Sequence, residues 1–246
     1  VLLPPEMPSA VLVALSVGKD SLATIDICAQ KFSRVEAYFM YWVKGLRFQE
    51  ATLEWVERKY GIKILRVPHF DIPNIMNNQS LNWYRASQRD FKRIKPRQLD
   101  DYARRHFGLK WIASGEKKCD SLERRGMLNA RGPWDEKRLR YYPIQDWTHH
   151  QVLDYLALRH IPLPAEYSVG ARRSWGGFRG EDLMMVREHF PADYKRILDV
   201  FPFVEAIRKR HELYGKKPNG KRSAKVRNDD SAADEVEGGA VQPASN

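Results

Sequence analysis

Residues 11–28 read VLVALSVGKDSLATIDIC. Residues 11–15 form a short apolar run, the pattern of a strand buried on both faces. From residue 20 to 32, Leu22, Ile25, Ile27, Cys28 and Ala29 recur at helical spacing. A small polar loop joins the two: Ser16, Val17, Gly18, Lys19, Asp20 and Ser21. Ser16 and Ser21 offer hydroxyls, Gly18 allows close backbone approach, and Lys19 adds a full charge. The helix start behind them presents unpaired N–H groups and a partial positive charge, so the loop suits a phosphate or pyrophosphate.

Working outward, strand and helix patterns alternate. Residues 35–42 and 62–67 read as strands around a helix at 48–60 that Gly61 stops. A helix over 97–107 ends at Gly108, and 109–115 reads as a fourth strand. A short fifth strand falls within 141–147, and Thr148 caps a helix reaching about residue 159. Two more helices are expected, over 180–189 and 192–214. Alternation of this kind predicts an α/β fold, doubly wound, with a mostly parallel five-stranded sheet and helices on both faces. Residues 1–167 are read as the nucleotide-binding part and 168–214 as its helical C-terminal extension. Residues 215–246 are read as a disordered tail, because the basic KKPNGKRSAKVR gives way to an acidic stretch with no core residues.

The 246 residues are 43% hydrophobic and include seven Trp, which excludes a wholly disordered chain. No apolar run reaches the roughly 18 residues of a membrane span, and a cytoplasmic location is the expectation. Two cysteines, Cys28 and Cys119, exclude a disulfide framework or a four-cysteine zinc site. The histidines form no ligand spacing, so no resident metal is expected. The formal charge is +11, and residues 85–140 hold 17 Lys/Arg against 8 Asp/Glu. That excess, interleaved with aromatics, fits a polyanion: a nucleotide with several phosphates, or a nucleic acid.

The loop SVGKDS resembles the PP-loop, S-G-G-x-D-S, of the adenine nucleotide alpha-hydrolase superfamily. Three further segments resemble the phosphoadenosine phosphosulfate (PAPS) reductase family within it. GLRFQEATLEWVE, residues 45–57, follows the second strand, with Gly45, Phe48, Glu50, Thr52 and Val56 in register. SGEKKCDSLERRG, residues 114–126, follows the fourth, with Gly115, Asp120, Ser121 and Arg124 in place and Lys117 where the family has Arg. YPIQDWTHHQVLDYLALRHIPLPAEY, residues 142–167, matches the family outline at ten positions from Pro143 to Tyr167. The fold implied is Rossmann-like.

The resemblance implies ATP or PAPS as the bound nucleotide. Ser16, Val17, Gly18, Lys19, Asp20, Ser21, Gly45, Gly115, Asp120 and Ser121 line its site; Lys19, Asp20, Lys117 and Arg124 carry catalysis. Asp120 and Ser121 serve equally well as a plain helix cap. Mg²⁺ would arrive with ATP, held mostly by phosphates and by Asp20. A thioredoxin-like reductant or a partner subunit is implied for sulfur chemistry.

Three departures matter. Val17 stands where the PP-loop has its first glycine; a positive φ there is costly for a β-branched residue and weakens phosphate affinity. The family's C-terminal E-C-G-[IL]-H motif is absent, which puts the reductase step in doubt. The G-C-x-x-C-P cysteines of other members are replaced within residues 170–191, so no iron–sulfur cluster is expected. Cys119, among Lys117, Lys118, Arg124 and Arg125, is the candidate substitute nucleophile. Two functions follow: a nucleotide-binding enzyme with sulfur-transfer or adenylyl-transfer chemistry, or a catalytically degenerate nucleotide sensor or nucleic-acid-associated protein.

Overall fold

The computed structural model describes residues 8–81, 91–171 and 173–215. Val1–Tyr214 forms one compact unit, distinct from Gly215–Asn246. Beyond Gly215 the expected tail lies outside the described residues, as do residues 85–90 of the basic span.

The opening apolar run is β1 (Ala10–Leu15), and it sits inside the sheet. β2 (Arg34–Tyr41) and β3 (Ile64–Pro68) extend the sheet on one side. β4 (Ile112–Ala113), β6 (Arg140–Tyr141) and β5 (Trp134–Asp135) extend it on the other. The order is β3-β2-β1-β4-β6-β5, with every pair parallel except β5 and β6. Six strands replace the five expected. The extra one, β5, is two residues long, too short to show an alternating pattern, and it folds back on β6 across the polar turn at Glu136–Leu139.

Alternation along β1 divides the two faces. Val11, Val13 and Leu15 pack with Leu22, Ile25 and Cys28 of α1 (Lys19–Lys31), Leu53 and Val56 of α2 (Arg47–Tyr60), and Val152 and Leu156 of α6 (His149–Leu158). Leu12 points the other way, against Leu99 and Ala103 of α4 (Pro96–Phe107). Helices therefore cover both faces, as the alternation predicts.

Gly61 and Gly108 end α2 and α4 in the left-handed conformation. Thr148 caps α6 in a reciprocal pair with Gln151: Thr148 Oγ1 accepts from the Gln151 N–H and Gln151 Oε1 from the Thr148 N–H. The short α3 (Ile72–Asn77) falls where a loop is expected, and α5 (Leu122–Arg131) follows Ser121, which takes the cap role left open above.

A separate core joins α8 (Gly180–His189), α9 (Pro191–Val200) and α10 (Val204–Tyr214) to Phe48 and Trp175. The single helix expected over 192–214 is two. Pro202 has no N–H to continue the first, and Phe201 before it is pushed to φ −129°, ψ 72°. α2 has no side-chain cap of its own; instead, buried Asp193 of α9 accepts from the Arg47 and Phe48 N–H groups at 2.9 and 3.1 Å. α7 (Ala165–Ser168) connects α6 to this region.

α8 and α10 meet at Gly180, where a Cβ would overlap Cβ of His211. Gly180→Ala is therefore expected to destabilise the protein by about 1–3 kcal/mol, read as a lower midpoint in urea unfolding. Among the described residues no helix is long and apolar enough to cross a membrane.

Candidate nucleotide site at the strand ends

The PP-loop leaves the carboxyl end of β1, where parallel α/β sheets bind ligands. Ser21 Oγ donates to the Gly18 carbonyl at 2.9 Å, and Ser16 Oγ donates to Ser21 Oγ at 3.3 Å. The Gly18 carbonyl also accepts the Leu22 N–H, so the loop closes directly onto the first turn of α1. Val17 has φ +62° and is buried in the main core. The backbone thus takes the conformation that favours glycine, with a β-branched side chain in it, held there by packing.

From the loop after β4 comes Lys117, fully buried. Its ammonium lies 2.8 Å from Asp20 Oδ1 and 3.0 Å from Asp120 Oδ1. Beyond these ion pairs no hydrogen bond reaches it among the described residues. Lys19 Nζ donates to the same Asp20 oxygen at 2.7 Å, and Arg124 donates to Asp120 Oδ2 at 2.7 Å. Asp120 also accepts the Lys117 N–H. Burial works to raise the Asp120 pKa, but bonds and charge from Lys117 and Arg124 outweigh it and hold the carboxyl below the ordinary range. Gly115 makes this meeting possible. A Cβ there would lie 2.9 Å from the Asp20 carbonyl carbon and oxygen.

The expected residues therefore converge, with qualifications. Ser121 is the N-cap of α5, its Oγ accepting the Arg124 N–H at 3.1 Å, so the Asp120–Ser121 pair splits into one ion-pair member and one cap. Gly45 is tied elsewhere, its carbonyl accepting from Arg196 of α9. Asp146 pairs with Lys118 at 2.6 Å. Cys119 is exposed at the rim, its thiol donating to the Trp147 carbonyl at 3.2 Å. Cys28 belongs to the core, where burial pushes its thiol up.

Two neighbours escape sequence reading. His149, the first residue of α6, has Nδ1 3.3 Å from Lys19 Nζ. Ser174 Oγ donates to the Val17 carbonyl at 3.3 Å. Lys19 and Lys117 both engage Asp20 Oδ1, so a Mg²⁺ ion arriving with ATP would meet Asp20 through Oδ2. Cys119, Asp120 and His149 group their donor atoms within 4.8 Å of one another. The ammonium beside His149 and the two cations on Asp120 oppose a divalent ion there.

The phosphoadenosine phosphosulfate reductase domain model matches residues 10–200. The chain belongs to this family. The match starts at the first residue of β1 and ends with α9, so the PP-loop, the Lys117 cluster, His149 and Ser174 all lie inside the family domain. No curated protein matches by sequence. Among solved structures, a PAPS reductase from Candida auris in complex with phosphate is 14% identical, over 69% of this chain and 81% of its own, at TM-score 0.48. An NH3-dependent NAD synthetase from Campylobacter jejuni in complex with nitrate is 15% identical, over 87% and 90%, at 0.45. A glutamine-dependent NAD+ synthetase from Acinetobacter baumannii in complex with ADP is 16% identical, over 83% and 40%, at 0.42.

Within this family domain, Val17 gives a test of the loop's geometry. Ala is ordinarily the better substitute than Gly, but at positive φ the order inverts. Val17→Gly is expected to be more stable than Val17→Ala by about 1 kcal/mol, although it removes one more carbon. Chemical unfolding of the two variants side by side checks it.

Proposed function

We propose that this protein is an enzyme acting on an adenine nucleotide, ATP or PAPS, with its phosphates or phosphosulfate held at the PP-loop. One observation carries the reading: fully buried Lys117 joins Asp20 of the PP-loop to Asp120, and so to Arg124. Cations fixed in a buried frame beside a phosphate loop stabilise charge that develops in a transition state without reorganising.

With ATP, an acceptor oxygen attacks the α-phosphorus, the bond to the bridging oxygen breaks, and pyrophosphate leaves. Lys19, Lys117 and Arg124 balance the charge. With PAPS, the Cys119 thiolate attacks the sulfonyl sulfur and the S–O bond breaks. Adenosine 3′,5′-bisphosphate leaves, and the sulfonate remains on Cys119. A thioredoxin-type dithiol then releases sulfite and becomes a disulfide. The exposure of Cys119 supports its access to such a reductant.

Incubation with Mg-ATP, or with PAPS plus reduced thioredoxin, tests the reading, with Asp20→Ala and Cys119→Ser beside the wild type. AMP and pyrophosphate, lost in Asp20→Ala, select adenylyl chemistry. Adenosine bisphosphate and sulfite, lost in Cys119→Ser, select reduction. Neither pair of products with either nucleotide overturns the enzyme reading.

The second reading, nucleic-acid association, has one observation in its favour. Lys95, Arg97, Tyr102, Arg105, His106 and Lys110 are all exposed on and around α4. Binding of a single-stranded oligonucleotide that falls steeply with salt, and is lost on reversing the charges of Arg97 and Arg105, supports it.

A further inference from the structure

Ser174 lies 157 residues from Val17 in sequence, yet its hydroxyl sits over the PP-loop. A Cβ on Gly18 would lie 3.1 Å from Ser174 Oγ and 3.5 Å from Ser16 Oγ, so the two hydroxyls flank the same glycine. Ser174 is firmly carried. The next residue, Trp175, is buried edge-on against Phe48 and Phe178, with ring centroids 6.0 and 5.8 Å away. The Trp175 N–H donates to Glu166 Oε1 at 3.1 Å, and Glu166 is fully buried. On the other side, Arg173 pairs with Glu181 at the start of α8. Residues 173–175 are thus tied to the C-terminal core, and the Ser174 side chain reaches the loop.

Its bond to the Val17 carbonyl is long. Hydroxyl donors ordinarily sit about 2.7–2.8 Å from an oxygen acceptor, against 3.3 Å here. A hydroxyl has one proton to donate, and a charged phosphate oxygen is a stronger acceptor than a peptide carbonyl. We infer that Ser174 is a phosphate ligand supplied by the C-terminal part of the chain: its proton rests on the Val17 carbonyl in the free protein and passes to a non-bridging phosphate oxygen when nucleotide binds. Tyr167 also lies beside this hydroxyl and within reach of the Asp20 charge, so its contact with Ser174 readjusts as the proton moves; no covalent bond changes. The inference rests on the nucleotide reading above. It adds a third hydroxyl to the pair from Ser16 and Ser21, and it makes the segment after α7 part of the site and not only of the fold.

The competing role is a brace: Ser174 holding the Val17 peptide and nothing more. Calorimetric titration of wild type, Ser174→Ala and Ser174→Thr separates the two, using whichever of ATP and PAPS wild type binds more tightly, together with the melting temperature of each free protein. A ligand role predicts about tenfold weaker nucleotide binding in Ser174→Ala, the size expected for a hydrogen bond to a charged group. It also predicts recovery of most of that loss in Ser174→Thr and a free-protein melting temperature close to wild type in both. Unchanged affinity in Ser174→Ala overturns the inference and leaves the nucleotide reading standing. A lowered melting temperature with no loss of affinity also overturns it, in favour of the brace. Wild type binding neither nucleotide overturns both.

Discussion

Lys117→Met is expected to abolish nucleotide turnover, lowering kcat/KM by at least about a hundredfold, and to destabilise the folded protein by about 3–5 kcal/mol. Methionine fills nearly the same volume, so the loss is one of charge. Lys117 is fully buried between Asp20 and Asp120. Without it Asp20 keeps Lys19 and Asp120 keeps Arg124, but both pairs sit closer to solvent. Two carboxylates would then face the place where phosphate oxygens must come, and their repulsion opposes an anionic ligand. Neutralising one of them should relieve this. The Lys117→Met/Asp20→Asn double variant is expected to be more stable than the sum of the single changes predicts, a coupling that a double-mutant cycle in urea measures. Additive losses would mean that Lys117 and Asp20 are not energetically linked, and the cluster would lose its place as the centre of the site.

Lys117 also shows where sequence reading succeeds and where it stops. The loop after β4 was legible because Gly115, Lys117, Asp120 and Arg124 lie within ten residues of one another, behind a strand, in a spacing that matches a family segment. β1 and α1 were legible for the same local reason: their periods are visible in adjacent residues, and Thr148 and Gln151 announce a helix start in four letters. α5 is legible only at its start, where Ser121 offers a cap, because its sequence LERRGMLNAR buries only Leu128 and so carries no apolar stripe. Pro202 is a break signal, but it stands within an otherwise helical pattern of residues. His149 and Ser174 reach the PP-loop from 130 and 157 residues away, and no local spacing reports such a meeting. The only hint for His149 was its place directly after a capping Thr, at the start of a helix. Val17 is the converse case. The motif required a glycine, and the positive φ is retained although the glycine is gone.

Asp26→Ala is the change expected to cost most away from the loop: about 3 kcal/mol at neutral pH. Asp26 is buried in α1 and accepts four side-chain hydrogen bonds. Tyr60 of α2 donates at 2.8 Å, Tyr155 of α6 at 2.7 Å, Arg159 at 2.9 Å and Gln30 at 2.8 Å. One carboxylate therefore ties together the three helices on one face of the sheet. Burial works to raise its pKa, but the bonds from Tyr155, Arg159 and Tyr60 prevail and lower it beneath the ordinary Asp value. The sign follows from linkage. The folded state binds this proton less readily than the unfolded chain, so the carboxylate's stabilisation is complete above the unfolded value near 3.8 and drains away as pH falls through the lower folded value. The stability difference between wild type and Asp26→Ala should hold steady from pH 7 to about 5 and shrink below pH 4. An Asp26→Asn variant, which keeps the shape but not the charge, should lie between the two at pH 7 and show no such narrowing relative to Asp26→Ala. A difference that stays constant down to pH 2.5 would assign the clamp to packing instead of charge. Because α1 begins at the PP-loop and α6 begins at His149, beside Lys19, the same loosening should reach the site. The expected signature is a raised KM for the nucleotide with a smaller change in kcat, since Asp26 touches none of Lys19, Lys117 and Arg124.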